Sequence, residues 1–169
     1  MSDPVSLSAY SPMWPAVFGI EKERLLLTLG GAVQVEHIGS TAVPGLGAKP
    51  VIDILVGAPE ISIIERRIPQ LVENGYRYVQ EFEKAIPERR YFTRIDGQPG
   101  SFHVHAVVLD SAFWRSHLAF RDALRADPAL AGQYWKLKQQ LAARFPNDRT
   151  AYTDAKSGFI RTVLARARW

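Results

Sequence analysis

The chain has 169 residues, 47% of them hydrophobic and 22% charged, which is typical of one globular domain that can bury a sizeable core. Its net charge of +4 suits phosphate-bearing ligands, but it is too small to predict a specific nucleic-acid partner. Because the chain has no cysteine, no signal-peptide pattern and no apolar run of ~18 residues, we expect no disulfide, no thiolate metal site, no membrane contact and a cytoplasmic location.

Helix and strand patterns alternate through the first part of the chain. A helix is predicted over 16–30 and a strand over 32–38, and a loop rich in proline and glycine separates that strand from a second one over 51–57. An amphipathic helix is predicted over 61–74, although Pro69 should kink or divide it because proline lacks the amide hydrogen that a helix interior needs. The remaining predicted strands cover 76–80, 90–95 and 102–109, with a hairpin signal at 96–100.

The pattern after residue 110 is helical and contains no convincing strand. Three helices are predicted, over 112–125, 128–145 and 149–167. They are rich in Leu, Phe, Trp and Tyr, so they should pack on the preceding part of the chain. We therefore predict an α+β core over 1–110 and a C-terminal helical segment over 111–169, which together form one compact unit.

The stretch "EHIGSTAVPGLGAKPVIDILVG", residues 36–57, carries the strongest sign of chemistry. Gly39 and Ser40 follow directly on a predicted strand, where glycine lets a phosphate approach the backbone and serine can donate hydrogen bonds to it. Asp53 stands inside the next strand between two isoleucines, and an unpaired carboxylate there would be costly to bury. We therefore expect Asp53 to meet a cation, a basic side chain or water.

This order of residues resembles the nucleotidyltransferase superfamily of the polymerase-beta type. The signature of that superfamily is Gly-Ser or Gly-Gly, a spacer, and a strand with two alternating acids, followed by a third carboxylate on a later strand. Here Leu55 stands at the second acidic position, and the later strand "FHVHAVV" carries His103 and His105 but no acid. The resemblance implies a nucleotidyltransferase-like mixed β-sheet with flanking helices. Because of these departures, the site differs from one that binds the usual pair of magnesium ions.

The chain also resembles the GrpB family along nearly its whole length. The stretch at 36–57 looks like the defining motif of that family, and further similar segments follow in order. These segments are "FHVHAVV", "FRDALRADP", "YWKLKQQLA" and "YTDAKSGFI". The resemblance implies the nucleotidyltransferase-like fold and an ancestry in nucleotidyl transfer, and members of the family also occur fused to dephospho-coenzyme A kinase.

Asp53, His103 and His105 form the candidate catalytic and metal-binding set, together with Ser40 as a catalytic residue. The two histidines are two positions apart on one strand and therefore share a face, as two ligands of one metal would. Two imidazoles and one carboxylate suit zinc or manganese better than magnesium. A divalent metal (Mg, Mn or Zn) is thus the expected cofactor, although histidines at this spacing also fill half-buried faces without binding metal.

Several further residues are candidates for contact with a nucleotide or a phosphate, beside Gly39 and Ser40. Each carries a hydroxyl, cationic or aromatic group: Thr41, Lys49, Arg90, Arg121, Tyr134, Lys138 and Lys156. The alternatives are capping by the threonine, a solvated loop lysine, protection of an edge strand by Arg90, and core packing in the helical segment.

Three functions are compatible with these residues. The first is a nucleotidyltransferase-like enzyme that binds a nucleoside triphosphate at Gly39 and Ser40 and a cation at Asp53. The second is a binding module for a nucleotide or phosphorylated small molecule that lacks catalysis, which the missing acids favour. The third is a metal-dependent hydrolase that uses Asp53, His103 and His105.

Overall fold

The computed structural model describes residues 4–95 and 100–169. The strands are β1 (Gln34–Ile38), β2 (Val51–Ala58), β3 (Arg77–Tyr78), β4 (Arg90–Ile95) and β5 (Ser101–Val108). The helices are α1 (Trp14–Leu29), α2 (Ile61–Glu65), α3 (Ile68–Glu73), α4 (Ala112–Ala126), α5 (Pro128–Arg144), α6 (Arg149–Ala155) and α7 (Ser157–Ala167). Short 3-10 turns cover Ser40–Ala42 and Gln80–Lys84.

The five strands form one mixed sheet in the order β1-β2-β5-β4-β3. Only the central pair, β2 and β5, runs parallel among the paired strands of the described residues, and its register sets Asp53 opposite His103. Ile38 of β1 stands opposite Asp53 on the other side of β2. Because side chains alternate along a strand, Asp53, His103 and His105 lie on the same face of the sheet. The α+β class with a mixed sheet and flanking helices is confirmed.

Each face of the sheet is covered by a different part of the chain. Alternate residues of β2, among them Ile52 and Ile54, are fully buried in the main core with apolar residues of α1, α2 and α3. On the opposite face, Trp114 of α4 packs on Leu55 and Val107. The helical segment is thereby held against the face that carries Asp53, and it closes one side of the space in front of that carboxylate.

Two predicted elements differ from the structure, and a third is divided as expected. The helix predicted over 61–74 is divided into α2 and α3, because Pro69 occupies the first turn of α3, where a missing amide hydrogen costs no hydrogen bond. The strand predicted over 76–80 is only two residues long and passes into a 3-10 turn. The helix predicted over 149–167 is divided at Lys156. The hairpin signal at 96–100 falls, except for Gly100, outside the described residues.

Within residues 4–95 and 100–169, no helix combines the length and the apolar character that a membrane-spanning segment requires.

Candidate functional site

A cleft of about 780 Å³ lies between the sheet face that carries Asp53 and the helical segment. Asp53 and His103 line it from the sheet, Ser40 and Lys49 from the loop between β1 and β2, and Lys138 and Lys156 from the helical segment. This volume falls within the ~300–1,000 Å³ of small-molecule sites. Most of the predicted site residues are therefore brought together in one cleft.

Gly39 determines how closely the loop approaches Asp53. Its φ of 73° lies in the left-handed region, and a Cβ atom at this position would stand 2.7 Å from Asp53 Oδ2. Both the backbone conformation and the space therefore require glycine. The turn that begins at Ser40 follows directly, so Ser40 enters the cleft beside the Asp53 carboxylate.

Asp53 lies close to two histidine side chains. Its Oδ1 atom is 3.7 Å from His103 Nδ1 and 3.6 Å from His105 Nε2. Burial alone would raise the pKa of Asp53, but the neighbouring ring of His105 and the charges of both histidines and Lys49 outweigh it, so the pKa is lowered. Burial lowers the pKa of His103, and the neighbouring Asp53 opposes part of that effect. At neutral pH the site therefore presents an ionised carboxylate beside a neutral imidazole.

His105 has a protein partner at each ring nitrogen. Arg89 Nη1 lies 3.3 Å from His105 Nδ1, and since a guanidinium can only donate, that nitrogen acts as the acceptor. The other nitrogen, Nε2, then carries the hydrogen and points it toward Asp53. His105 thereby helps to orient the Asp53 carboxylate, beside which His103 also stands.

The donor atoms do not fit the pair of magnesium ions that the resemblance to polymerase-beta-type nucleotidyltransferases implies. Leu55, which is fully buried, occupies the position of a second carboxylate. Among residues 4–95 and 100–169, no three His, Asp or Glu side chains are arranged to hold a metal ion. Metal binding by Asp53, His103 and His105 therefore stays a prediction.

Lys138 is the most buried cation of the cleft, with 2% of the residue exposed. Its Nζ atom donates to Ser40 Oγ at 2.9 Å and to the carbonyl oxygen of Gly47 at 2.5 Å. Burial, together with the charges of Lys156 and Lys49, lowers the pKa of Lys138 to about 7. Near neutral pH, this side chain is therefore divided between the ammonium and the neutral amine.

Two further lysines stand around the ring of Tyr152. Lys156 Nζ lies 4.4 Å from the ring centre, and burial lowers the pKa of Lys156 to about 8. Lys49 Nζ lies 5.5 Å from the same centre, and its pKa is likewise lowered by burial and by Arg149. Desolvation and the charges of neighbouring cations thus lower the pKa of each of these cleft lysines.

Tyr134 links Ser40 to the core of the helical segment. Its ring is stacked on Phe159 at 5.1 Å and meets Phe120 edge-on at 5.4 Å. Burial raises the pKa of Tyr134 far above its usual range, and a hydrogen bond with Ser40 opposes part of that rise. Tyr134 is therefore a neutral phenol that contacts Ser40 while it fills the core.

Two predicted phosphate ligands lie away from Asp53. Arg90 stands opposite Ala106 on the other face of the sheet and forms an ion pair with Glu65 at 2.8 Å. Arg121 of α4 pairs with Glu36 at 2.6 Å. The cationic character of Arg90 made it a candidate, but a strand's own sequence does not show which of its faces lies against the cleft.

Thr41 lines the cleft but has a partner of its own, because its Oγ1 atom lies 2.9 Å from Nε2 of the buried His37.

The structure also adds residues that the prediction missed. Tyr91, stacked on Phe82 at 5.3 Å, forms an aromatic wall, and Arg149 lies at the start of α6. Tyr91 and Arg90 are neighbours on β4 and therefore lie on opposite faces of the sheet, and this alternation could have revealed Tyr91.

The profile of the family described as GrpB protein matches residues 4–166. The chain is 38% identical to UPF0157 protein YqkA of Bacillus subtilis over 98% of its length, but it spans only 48% of that relative. It is 33% identical to the glutamate-rich protein GrpB of Alkalihalophilus pseudofirmus, covering 95% of this chain and 94% of that one. A crystal structure of the conserved protein GrpB from Enterococcus faecalis is similar with a TM-score of 0.85 and 36% identity, over 96% of both chains.

Two more distant similarities concern proteins with named activities. The Cid1 poly(U) polymerase, in a crystal structure with magnesium and 3'-dATP bound, is similar with a TM-score of 0.56 and 12% identity, over 87% of this chain and 49% of that one. This likeness shows a shared fold. A dephospho-CoA kinase of Mycolicibacterium paratuberculosis is 30% identical over 97% of this chain, which spans 46% of that protein.

Proposed function

The chain belongs to the GrpB family, and from this premise we propose that it binds a nucleotide or another phosphorylated small molecule in the cleft around Gly39, Ser40 and Asp53. The observation that carries the proposal is the convergence of Lys49, Lys138 and Lys156 on that cleft. Buried ammonium groups are costly without a negative partner. A phosphate would supply that charge, and binding it would raise the lowered pKa values of Lys49 and Lys156.

The remaining walls favour a nucleotide over a free phosphate. Phosphate oxygens would meet the Ser40 hydroxyl, Lys49 and Lys156 at one end of the cleft. Tyr91 and Phe82 also line it, and their stacked rings offer a surface for a planar base. The fold shared with a polymerase that holds 3'-dATP supports the same interpretation.

The further proposal, nucleotidyl transfer, depends on a general base and on charge neutralisation at the phosphate. His103, with its lowered pKa, suits the base, because a neutral imidazole can accept a proton at neutral pH. The lysines would neutralise the charge that develops on the phosphate. Leu55 in place of a second acid favours the alternative, a binding module without catalysis.

Calorimetric titration tests the binding proposal. The purified chain is titrated with ATP, UTP and inorganic triphosphate, with and without magnesium, manganese or zinc. We expect Lys156→Met to weaken binding by about 10-fold or more, since a charge-assisted contact contributes ~1.5–3 kcal/mol. Lys136→Met is the matched control, because Lys136 is an exposed lysine on α5. No binding by the wild-type chain, or equal binding by Lys156→Met, would contradict the proposal.

The same titration mixtures, analysed for reaction products, distinguish nucleotidyl transfer from binding without catalysis. Release of pyrophosphate from ATP or UTP indicates nucleotidyl transfer, whereas binding without any product indicates the module. Heats that appear only with one metal, and that are lost in Asp53→Ala and His103→Ala, support the predicted metal site.

A further inference from the structure

The Ser40 hydroxyl is held by a side chain of the helical segment. Lys138 Nζ donates to Ser40 Oγ at 2.9 Å, and the Tyr134 phenol stands near the same hydroxyl. Ser40 is half-buried and lines the cleft, so its oxygen remains open to a ligand on the remaining side. The pair joins the body of the chain to α5, from residues that are 98 positions apart in sequence.

Lys138 has the properties of a base more than those of a surface cation. Its amine is buried, and Gly47, whose carbonyl oxygen accepts one of its hydrogens, fixes the direction of the side chain. The ring of Trp135 packs on Gly47 so closely that a Cβ atom there would stand 2.5 Å from the ring. When Lys138 is neutral, its lone pair can accept the hydroxyl hydrogen of Ser40 over the same distance.

We propose that Ser40 is a nucleophile with Lys138 as its general base, and that the cleft transfers a phosphoryl group from a phosphate ester or anhydride to Ser40 Oγ. The inference rests on the proposed binding of a phosphorylated molecule in this cleft. A hydroxyl within hydrogen-bond reach of a base, and a base fixed by a third group, is the general geometry of an activated nucleophile.

The step balances with groups that the cleft and the ligand supply. Ser40 Oγ forms a bond to phosphorus while the bond from phosphorus to the leaving oxygen breaks. The hydroxyl proton moves to Lys138 Nζ; an alkoxide that leaves from an ester takes that proton from the resulting ammonium, whereas a phosphate that leaves from an anhydride, or nitrophenolate, departs as the anion and the ammonium returns its proton to water. The products are phosphoserine and the alcohol, the phosphate or nitrophenolate, and attack by water or by an acceptor hydroxyl on the phosphoserine would regenerate Ser40.

Other cations of the cleft can bind the phosphate, so that Lys138 can act as the base. Lys49, Lys156 and Arg149 face the cleft and can neutralise the phosphate, so Lys138 is not needed as a cation. Burial, together with the charges of Lys156 and Lys49, lowers the pKa of Lys138 to about 7 and so favours its neutral form. Asp53, the nearby carboxylate of β2, and the neutral phenol of Tyr134 complete the groups that face Ser40.

The test uses p-nitrophenyl phosphate as the probe and the intact chain as the enzyme. Release of nitrophenolate is followed against time, and tryptic mass spectrometry locates phosphate on Ser40. We expect phosphoserine in the wild-type chain and in the matched control Lys136→Met, and none in Ser40→Ala. Lys138→Met should form it ~100-fold more slowly or worse, as expected for loss of a general base.

A second variant and a pH profile separate catalysis from a structural role. Lys138→Arg keeps a donor to Gly47 but stays protonated, so it should also lose the reaction. In the wild-type chain the rate of phosphoserine formation should rise with pH as Lys138 loses its proton. Wild-type rates in Lys138→Arg, or a rate that does not change with pH, would overturn the role of Lys138. A wild-type chain that binds ATP by calorimetry but never carries phosphate on Ser40 would overturn the inference and leave the proposed binding function standing.

Discussion

At the scale of single residues, Gly39 holds the loop against Asp53. Gly39→Ala should lower the free energy of unfolding by about 1–3 kcal/mol, because alanine is strained at a φ of 73° and its Cβ would meet the Asp53 carboxylate. Chemical denaturation measures the change. The matched control is Gly132→Ala in α5, where a Cβ meets nothing within 4 Å and helix propensity should raise stability by up to ~1 kcal/mol. Equal stability of Gly39→Ala and the wild-type chain would contradict this account.

The Lys138 amine gives stability a defined dependence on pH. Its pKa is lowered from an ordinary 10.5 to about 7 in the folded chain, so between these values the unfolded state binds a proton that the folded state does not. Stability from this residue is therefore complete above about pH 10.5 and is lost as the pH falls toward 7. The wild-type chain should gain stability relative to Lys138→Met as the pH rises through this interval. Urea denaturation at several pH values measures the difference, Lys136→Met should show no such trend, and a constant difference for Lys138→Met would refute it.

The sequence indicated which residues carry the chemistry of the cleft, but it did not show on which face of the sheet each residue lies. Asp53 between two isoleucines and the Gly39-Ser40 pair were recognisable, since a carboxylate in an apolar strand and a glycine after a strand each need a reason. Arg90 was a candidate of equal chemical merit, yet it faces the other side of the sheet. The face on which Arg90 lies depends on how its strand pairs with its neighbours, and the alternation of residues within one strand does not reveal that pairing.

At the scale of elements, α4 joins the helical segment to the sheet through Trp114, of which 5% is exposed. Trp114→Ala should destabilise the chain by about 3–5 kcal/mol, because it leaves a cavity against Leu55 and Val107. Thermal and urea denaturation measure the loss. Trp169→Ala serves as the control, since that tryptophan is 46% exposed and should contribute little. A Trp114→Ala chain as stable as the control would show that the segment does not depend on this contact.

The helical and strand periodicity of the sequence predicted most elements, but it did not predict every point at which a helix is divided. Pro69 was recognised as a break, and it begins α3 because the first turn tolerates its missing amide hydrogen. The division at Lys156 stands directly before Ser157 and Gly158, a pair that favours turns but that helical periodicity does not register. The Lys156 ammonium lies over the ring of Tyr152, four residues earlier.

At the scale of the whole molecule, the cleft exists because two parts of the chain meet. The sheet supplies Asp53 and His103, whereas Lys138 and Lys156 come from the helical segment. Resemblance to a family along nearly the whole chain predicted this fold, because the matching segments include both parts. The parallel pairing of β2 with β5, which sets Asp53 opposite His103, was not predictable from the periodicity of either strand.

A crystal structure of the chain with a non-hydrolysable ATP analogue tests the central claim most directly, namely that this cleft binds a phosphorylated ligand. We predict density for phosphate oxygens within hydrogen-bond distance of Ser40 Oγ and of the Lys49 and Lys156 ammonium groups, with the base toward Tyr91. An analogue bound at another surface, or a cleft that stays free of it at saturating concentration, would contradict the account.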